Sequence, residues 1–305
     1  MSTPALRLLS LGAGVQSTVL ALMACTGELP GLDGAIFADT GWEPARVYAH
    51  LDRLTGEFDR AGIPLYRVGN GNLRTDSLDP AHRFVSVPYF TQSPTGQRGM
   101  ARRQCTSEYK LVPINRKVRE LLGAKPPRLR TVPKGRVAEQ WIGFSTDEIS
   151  RVNDRPTNRY TLKRYPLLEL GLSRKDCERW LKLRGWGETA KSSCIGCPFH
   201  GNAHWRDMRD HHPTEWADAV DFDHAIRTGG HRDGVPGLRG QAFLHSSRLP
   251  LDAAPIDRVT SREWADRQLD IFDELTEQGD PDGCSPYGCR SNNPAPFPQS
   301  TKEAA

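Results

Sequence analysis

One stretch near the start constrains this chain more than any other. Leu8-Leu9-Ser10-Leu11 has the pattern of an apolar strand; it runs into Gly12-Ala13-Gly14 and then into Val15-Gln16-Ser17-Thr18, the opening of a helix. A strand that turns on glycines into a helix gathers backbone N–H groups at the positive end of a helix dipole, which is an anion-binding arrangement. Ser10, Ser17 and Thr18 add hydroxyl donors. The spacing matches neither common nucleotide loop: Gln16 stands where a Walker A loop needs lysine, and Ser17 or Thr18 falls where the dinucleotide fingerprint needs a third glycine. An ordinary strand-to-helix turn has the same appearance, so the rest of the chain decides what the loop means.

The next segments predict an α/β fold. Gly34 to Asp39 reads as a buried strand with an acidic end, and Thr40-Gly41-Trp42-Glu43 as a turn. Pro44 suits the first turn of a helix whose apolar positions are Val47, Leu51, Leu54 and Phe58, and Leu65 to Val68 reads as a third strand. Strands alternating with helices imply a parallel sheet with right-handed crossovers and ligands at the carboxyl ends of the strands. That places the glycine loop and Asp39 on one edge, although Asp39 also suits a helix cap.

Residues 69–99 are polar and turn-rich apart from Phe84 to Phe90, and read as an irregular excursion that folds over the site. Cys105 to Leu122 is loosely helical, with Pro113 as a kink or boundary, and Lys125 to Lys134 is a basic, proline-containing loop. Val137 to Phe144 is a further strand pattern, running into Ser145-Thr146-Asp147-Glu148-Ile149-Ser150-Arg151. Ser173 and Asp176 form a capping box for a helix through Leu183. The expected division is a nucleotide-binding domain over 1–190, a Cys/His-rich region over 191–290 and a disordered tail over 291–305.

These residues carry a family resemblance. Ser10-x-Gly12-x-x-x-x-Ser17 is similar, in loose form, to the pyrophosphate loop of the ATP pyrophosphatase and phosphoadenosine phosphosulfate (PAPS) reductase-like superfamily, with Val15-Gln16 where many members carry an Asp before the Ser. Asp39-Thr40-Gly41-Trp42-Glu43 resembles the family's second motif. Gly143, Glu148 and Arg151 match a third segment, in which Ser145 stands where an Arg is common, and Tyr165-Pro166-Leu167 resembles a short strand ahead of the capped helix. The resemblance implies a doubly wound parallel sheet of the adenine nucleotide alpha hydrolase-like kind, with a loop-rich, helical C-terminal part carrying a metal site. It implies that Ser10, Gly12, Gly14, Gln16, Ser17, Thr18, Asp39, Gly143 and Arg151 surround ATP and Mg²⁺, with Ser17, Asp39 and Lys110 in catalytic positions.

The seven cysteines point to metal or redox chemistry rather than a disulfide framework, because no signal-peptide pattern or membrane-length apolar run opens the chain and a cytoplasmic location is expected. Cys194-Ile195-Gly196-Cys197-Pro198 is a CxxC, which can present two thiolates to one metal. A structural zinc would need two more ligands, for which Cys284, Cys289, His200, His204, His211 and His212 are candidates. Cys105 with Lys110 and Pro113 resembles the segment that supplies a cluster cysteine in iron–sulfur reductases and in the enzyme that sulfurates DNA backbones. The resemblance implies a [4Fe–4S] cluster on Cys105, Cys194, Cys197 and one of Cys284 or Cys289, with zinc as the alternative. Cys25 and Cys177 lie on helical patterns and read as ordinary buried residues.

Net charge is only +4, yet between Arg98 and Arg136 twelve Lys/Arg face two Glu, a run that suits an anionic partner or a solvated basic face. The function expected is an AMP-forming enzyme that uses ATP to adenylylate a substrate for sulfur transfer, with nucleic acid (tRNA or DNA) as acceptor and a protein as sulfur donor. A reductase of adenylyl sulfate or phosphoadenylyl sulfate is the alternative, but the chain lacks that family's Glu-Cys-Gly-x-His segment. A third reading is a non-catalytic nucleotide- or nucleic-acid-binding module with a structural metal. No membrane partner is expected, and the sequence leaves the oligomeric state open.

Overall fold

The computed structural model describes residues 4–79, 81–82, 87–153, 155, 158–187, 189, 191–228, 240–261 and 263–264. The chain opens with β1 (Leu6–Leu11), α1 (Val15–Cys25), β2 (Gly34–Asp39), α2 (Ala45–Ala61), β3 (Leu65–Gly69) and the short α3 (Leu73–Leu78). A hairpin, β4 (Phe90–Gln92) and β5 (Arg98–Met100), precedes a π turn over Thr106–Leu111 that continues into α4 (Val112–Leu121). Then come β6 (Ala138–Trp141), β7 (Thr161–Arg164), α5 (Pro166–Glu169), α6 (Arg174–Leu183), α7 (Asn202–His211), α8 (Pro213–Ala225) and β8 (Gln241–Phe243).

Five strands form one parallel sheet in the order β3-β2-β1-β6-β7, with Leu8 opposite Gly34 on one side of β1 and Leu6 opposite Ala138 on the other. The alternation of side chains along a strand sorts the core into two layers. Leu9, Leu11, Ala35, Phe37 and Trp141 pack with α1, α2 and α6, whereas Leu8, Ile36, Ala38 and Ala138 pack with Ile114 and Val118 of α4. Every residue of α1 from Val15 to Ala24 is buried, because the helix lies between the sheet, α2 and α6. Each fully buried Leu or Phe here contributes about 1.5–3 kcal/mol relative to exposure. The capping box of α6 forms as expected: the Asp176 N–H donates to Ser173 Oγ at 3.2 Å, and the Ser173 N–H donates to Asp176 Oδ2 at 3.0 Å.

Two local expectations change. The excursion after β3 contains α3 and the β4–β5 hairpin, and β4 pairs antiparallel with β8 in a second sheet ordered β5-β4-β8. Tyr165-Pro166-Leu167 is not a strand: β7 ends at Arg164, and Pro166, which has no N–H to give a ladder, starts α5. Pro113 marks a boundary, as expected: the π turn ends at Leu111 and Pro113 falls in the first turn of α4, where a missing N–H is tolerated.

The second sheet and the last helices share an apolar cluster that draws on both sides of position 190, with Trp42, Leu73, Tyr89 and Tyr109 against Cys194, Trp205, Phe222 and Leu244. Cys284, Cys289 and the segment 291–305 lie outside the described residues. Among the described residues no helix is long and apolar enough to cross a membrane.

Candidate functional site

The carboxyl ends of the parallel strands bring distant segments of sequence to the glycine loop. Thr18 N–H bonds the Gly14 carbonyl at 2.9 Å and starts α1; Ser17 Oγ accepts from the Gly12 N–H and donates to the Gly14 carbonyl, both at 3.2 Å. It is Ala13, at φ +58°, that takes the left-handed conformation, while Gly14 is extended. A non-glycine residue held there is strained, and such strain concentrates at ligand loops. The Thr18 hydroxyl faces away from the turn, 2.9 Å from His50 Nε2, so it braces α1 on α2. Ser10 Oγ is buried without a hydrogen-bond partner among the described residues.

From the other side of the sheet's midline, the segment after β6 closes on this loop. A Cβ at Gly143 would stand 3.1 Å from the Ser17 nitrogen and 3.3 Å from Gln16 C, so only glycine lets the two backbones meet without displacement. Gln16 Nε2 donates to Glu148 Oε2 at 3.1 Å and to Ser145 Oγ at 3.3 Å. Glu148 is buried and also pairs with Arg151; burial pushes its carboxyl above the usual range while Arg151 draws it back. The guanidinium of Arg151 lies over the Phe144 ring, which in turn stacks on Tyr165 at 5.7 Å. Thus Gln16, Gly143 and Arg151 form one connected group. The segment before the CxxC joins it, with Ser192 beside Gly14, and the Ser192 and Ser193 hydroxyls are buried without partners among the described residues.

Asp39 is on the same edge but fully engaged. Its Oδ1 accepts from the Gly41 N–H at 2.7 Å and the Tyr48 hydroxyl at 2.9 Å, and its Oδ2 accepts from Arg67 Nε at 2.9 Å and from a second Arg67 nitrogen at 2.7 Å. It therefore shapes the turn after β2 rather than capping α2, whose N-cap is Pro44. The hydrogen bond and charge of Asp39 hold the Tyr48 hydroxyl protonated, with burial the largest cause, up to about 12.

Glu43, in that same turn, organises a second group. Its Oε1 accepts from Thr40 Oγ1 at 3.1 Å and lies 3.5 Å from Lys110 Nζ and 3.7 Å from Cys194 Sγ, while Thr40 Oγ1 is itself 3.2 Å from Cys194 Sγ. Glu43 and Lys110 are both buried, a costly arrangement unless each charge is compensated. Glu43 Oε2 is buried without a partner among the described residues. The CxxC turns tightly on the Cys197 N–H to Cys194 carbonyl bond at 3.1 Å and is docked by the Ile195 N–H on the Trp42 carbonyl at 3.0 Å. A Cβ at Gly196 would overlap the Trp42 ring.

Cys105 precedes the π turn that carries Lys110 and packs on the apolar cluster that includes Cys194. Cys105 and Cys194 thus share one apolar cluster, and thiolates are the donor type that suits soft iron–sulfur or zinc ligation. Among the described residues no group of three His, Cys, Asp or Glu side chains is gathered as a metal site. Three of the histidines considered as zinc ligands have other partners: His200 Nε2 donates to the Cys194 carbonyl at 2.9 Å, His211 pairs with Asp207 and His212 with Arg46. Cys177 is buried and its thiol is pushed up to about 12, and the half-buried Cys25 to about 11, in keeping with inert packing residues.

The basic run from 98 to 136 is divided between the two ends of the sheet. Lys110 is at the carboxyl edge through Glu43, and Asn70, just after β3, donates to the Glu108 carbonyl at 3.1 Å. By contrast, the loop between α4 and β6 returns to the amino edge, where the Ala5 N–H bonds the Val137 carbonyl at 2.8 Å.

A scan against protein-family models and a search of curated proteins both return no match for this chain. Among the site residues, His50 is not signalled by the sequence, and Glu43 is signalled only as the last residue of the Asp39-Thr40-Gly41-Trp42-Glu43 motif, because burial opposite Thr18 and Lys110 is created by the fold.

Proposed function

We propose that this chain is an ATP-dependent, AMP-forming enzyme of the PP-loop kind, which adenylylates a substrate oxygen for sulfur transfer, with nucleic acid as the acceptor class. The observation that carries the reading is where the loop sits. In the order β3-β2-β1-β6-β7, β1 and β6 are neighbours whose following connections run to opposite sides, and the crevice at such a reversal is where open α/β sheets bind ligands. Gly12 to Gly14 follow β1, Gly143 follows β6, and the two backbones meet there. Helices on both faces of the sheet support a doubly wound arrangement.

The start of α1 and the N–H groups of the loop suit the pyrophosphate part of ATP, and Gln16, clamped by Ser145 and Glu148, holds that loop in place. The substrate oxygen attacks the α-phosphorus of ATP and displaces pyrophosphate, leaving the substrate adenylylated; sulfur then attacks the centre that carries this oxygen, and AMP leaves with the oxygen. Lys110, next to Glu43 and Cys194, is placed to stabilise negative charge on the incoming or departing group. Cys105, Cys194 and Cys197, with Cys284 or Cys289, are the residues that would hold a [4Fe–4S] cluster, whose chemistry would be to carry sulfur or electrons.

The test is calorimetric titration with ATP and Mg²⁺, followed by pyrophosphate release with tRNA and duplex DNA as acceptors and sulfide as sulfur source. Saturable ATP binding with acceptor-dependent pyrophosphate release is expected. Absence of ATP binding at millimolar concentration sinks the nucleotide reading, and binding without release in any arm sinks the enzymatic one.

A further inference from the structure

Lys125, Arg128 and Arg130 line a cavity of about 530 Å³ together with Gly123, Thr131 and Pro133, in the loop between α4 and β6. No acidic residue lines it, and none occurs anywhere between Leu121 and Ala138. All three cations are exposed, and among the described residues none has an ion-pair partner. By contrast, Arg46, Arg67, Arg74, Arg164 and Arg209 are each paired with a carboxylate.

The loop is held from within. Leu129 is buried at φ +44°, its N–H bonds the Lys125 carbonyl at 3.1 Å, and Arg128 and Arg130 stay exposed on either side of that anchor. Lys134 and Arg136, also exposed, extend the positive surface toward β6. Unpaired guanidinium groups around a fixed, acid-free cavity match phosphate oxygens in charge and in hydrogen-bond geometry.

We propose that this loop is a second anion site, separate from the glycine loop, that grips the phosphate backbone of a nucleic-acid acceptor; the assignment rests on the reading of the acceptor as nucleic acid. The placement favours a polymer over a free nucleotide. The cavity is at the amino edge of the sheet, whereas the glycine loop is at the carboxyl edge, about 20 Å away along a six-residue strand. A mononucleotide bound in the cavity could not present an oxygen to ATP at the far edge, while a polynucleotide spans both.

The experiment is fluorescence anisotropy of the full chain with labelled duplex DNA and labelled tRNA across a salt series, with unlabelled tripolyphosphate as competitor. Arg128→Ala is expected to weaken binding several-fold and to lower the slope of log K against log salt by about one, and the Lys125→Ala/Arg128→Ala/Arg130→Ala triple by up to about three. Arg60→Ala, which removes an exposed charge on α2, should leave both quantities unchanged. Circular dichroism and ATP titration of each variant establish that fold and nucleotide site persist. Unchanged affinity and slope in the triple variant overturn the proposal, as does equal loss with Arg60→Ala. If tripolyphosphate binds at the loop but neither nucleic acid does, the nucleic-acid assignment is overturned. If ATP fails to bind while the loop still grips DNA or tRNA, the nucleotide reading fails and this one stands.

Discussion

Gly143 lies against the backbone of Ser17, so closely that a Cβ at 143 would stand 3.1 Å from the Ser17 nitrogen. The neighbour is the first turn of a helix buried from Val15 to Ala24, which cannot yield by itself. Gly143→Ala should therefore push the glycine loop out of register. Overpacking of this kind costs about 1–3 kcal/mol, and the loss should fall on ATP affinity, which is expected to drop by about tenfold or more. Calorimetric titration of ATP against the variant and the wild type checks this, and equal affinities would detach residue 143 from the proposed nucleotide site.

The Gln16–Glu148 hydrogen bond makes a different prediction, because Glu148 is shared with Arg151. Glu148→Ala removes the carboxylate that pairs with Arg151 and one of the two acceptors of Gln16 Nε2, and should destabilise the fold by about 3 kcal/mol. Glu148→Gln keeps an amide oxygen for Gln16 and should recover a good part of that loss. Urea unfolding of the two variants side by side gives the comparison; equal destabilisation would mean the site tolerates loss of the Gln16 bond.

Glu43 and Lys110 form a buried pair at 3.5 Å. Removing either charge takes a buried counter-charge from the other, so Glu43→Gln and Lys110→Met should each cost about 3 kcal/mol, while the double variant costs clearly less than the sum. A double-mutant cycle by chemical denaturation reads the coupling, and additivity within about 0.5 kcal/mol would show that the pair is not energetically coupled.

Stability should fall as the solution is acidified below neutrality. Burial holds His50 down to about 4 from an ordinary value near 6.5, with Arg53 adding to the effect, and burial also lowers His200 and His245. Between about pH 6.5 and 4 the unfolded chain binds a proton at position 50 that the folded chain does not, so protonation favours unfolding across that window. The His50 contribution amounts to up to about 3 kcal/mol. His50→Gln should flatten the pH dependence of the unfolding midpoint by that amount while keeping a partner for Thr18. An unchanged slope between pH 4 and 6.5 would show that His50 is not the group responsible.

The parallel sheet was readable because its determinants are local. Gly34 to Asp39 is an apolar strand whichever neighbours it finds, and the Ser173–Asp176 box needs only four residues. The meeting of Gly143 with Ser17 was approached only through family likeness, since nothing in either segment alone specifies a backbone contact across the sheet. Glu43 was legible as part of a turn but not as a buried anion, because its burial arises when Lys110 and Cys194 arrive from segments far along the chain. The β4–β8 pairing was missed for the same reason: three-residue strands carry too few positions for a period to show.

That pairing sets an order on how the molecule can be completed. Phe90, Thr91 and Gln92 find their second partner only in Phe243, Ala242 and Gln241. As the chain leaves the ribosome, the parallel sheet can close once β7 has emerged, whereas β4 must wait for β8 with one edge unpaired. Closing so wide a loop is slow, and an unpaired edge is where nascent chains adhere to one another. Synthesis halted after α8 would therefore leave the glycine loop formed and the β4 edge open to a neighbouring chain.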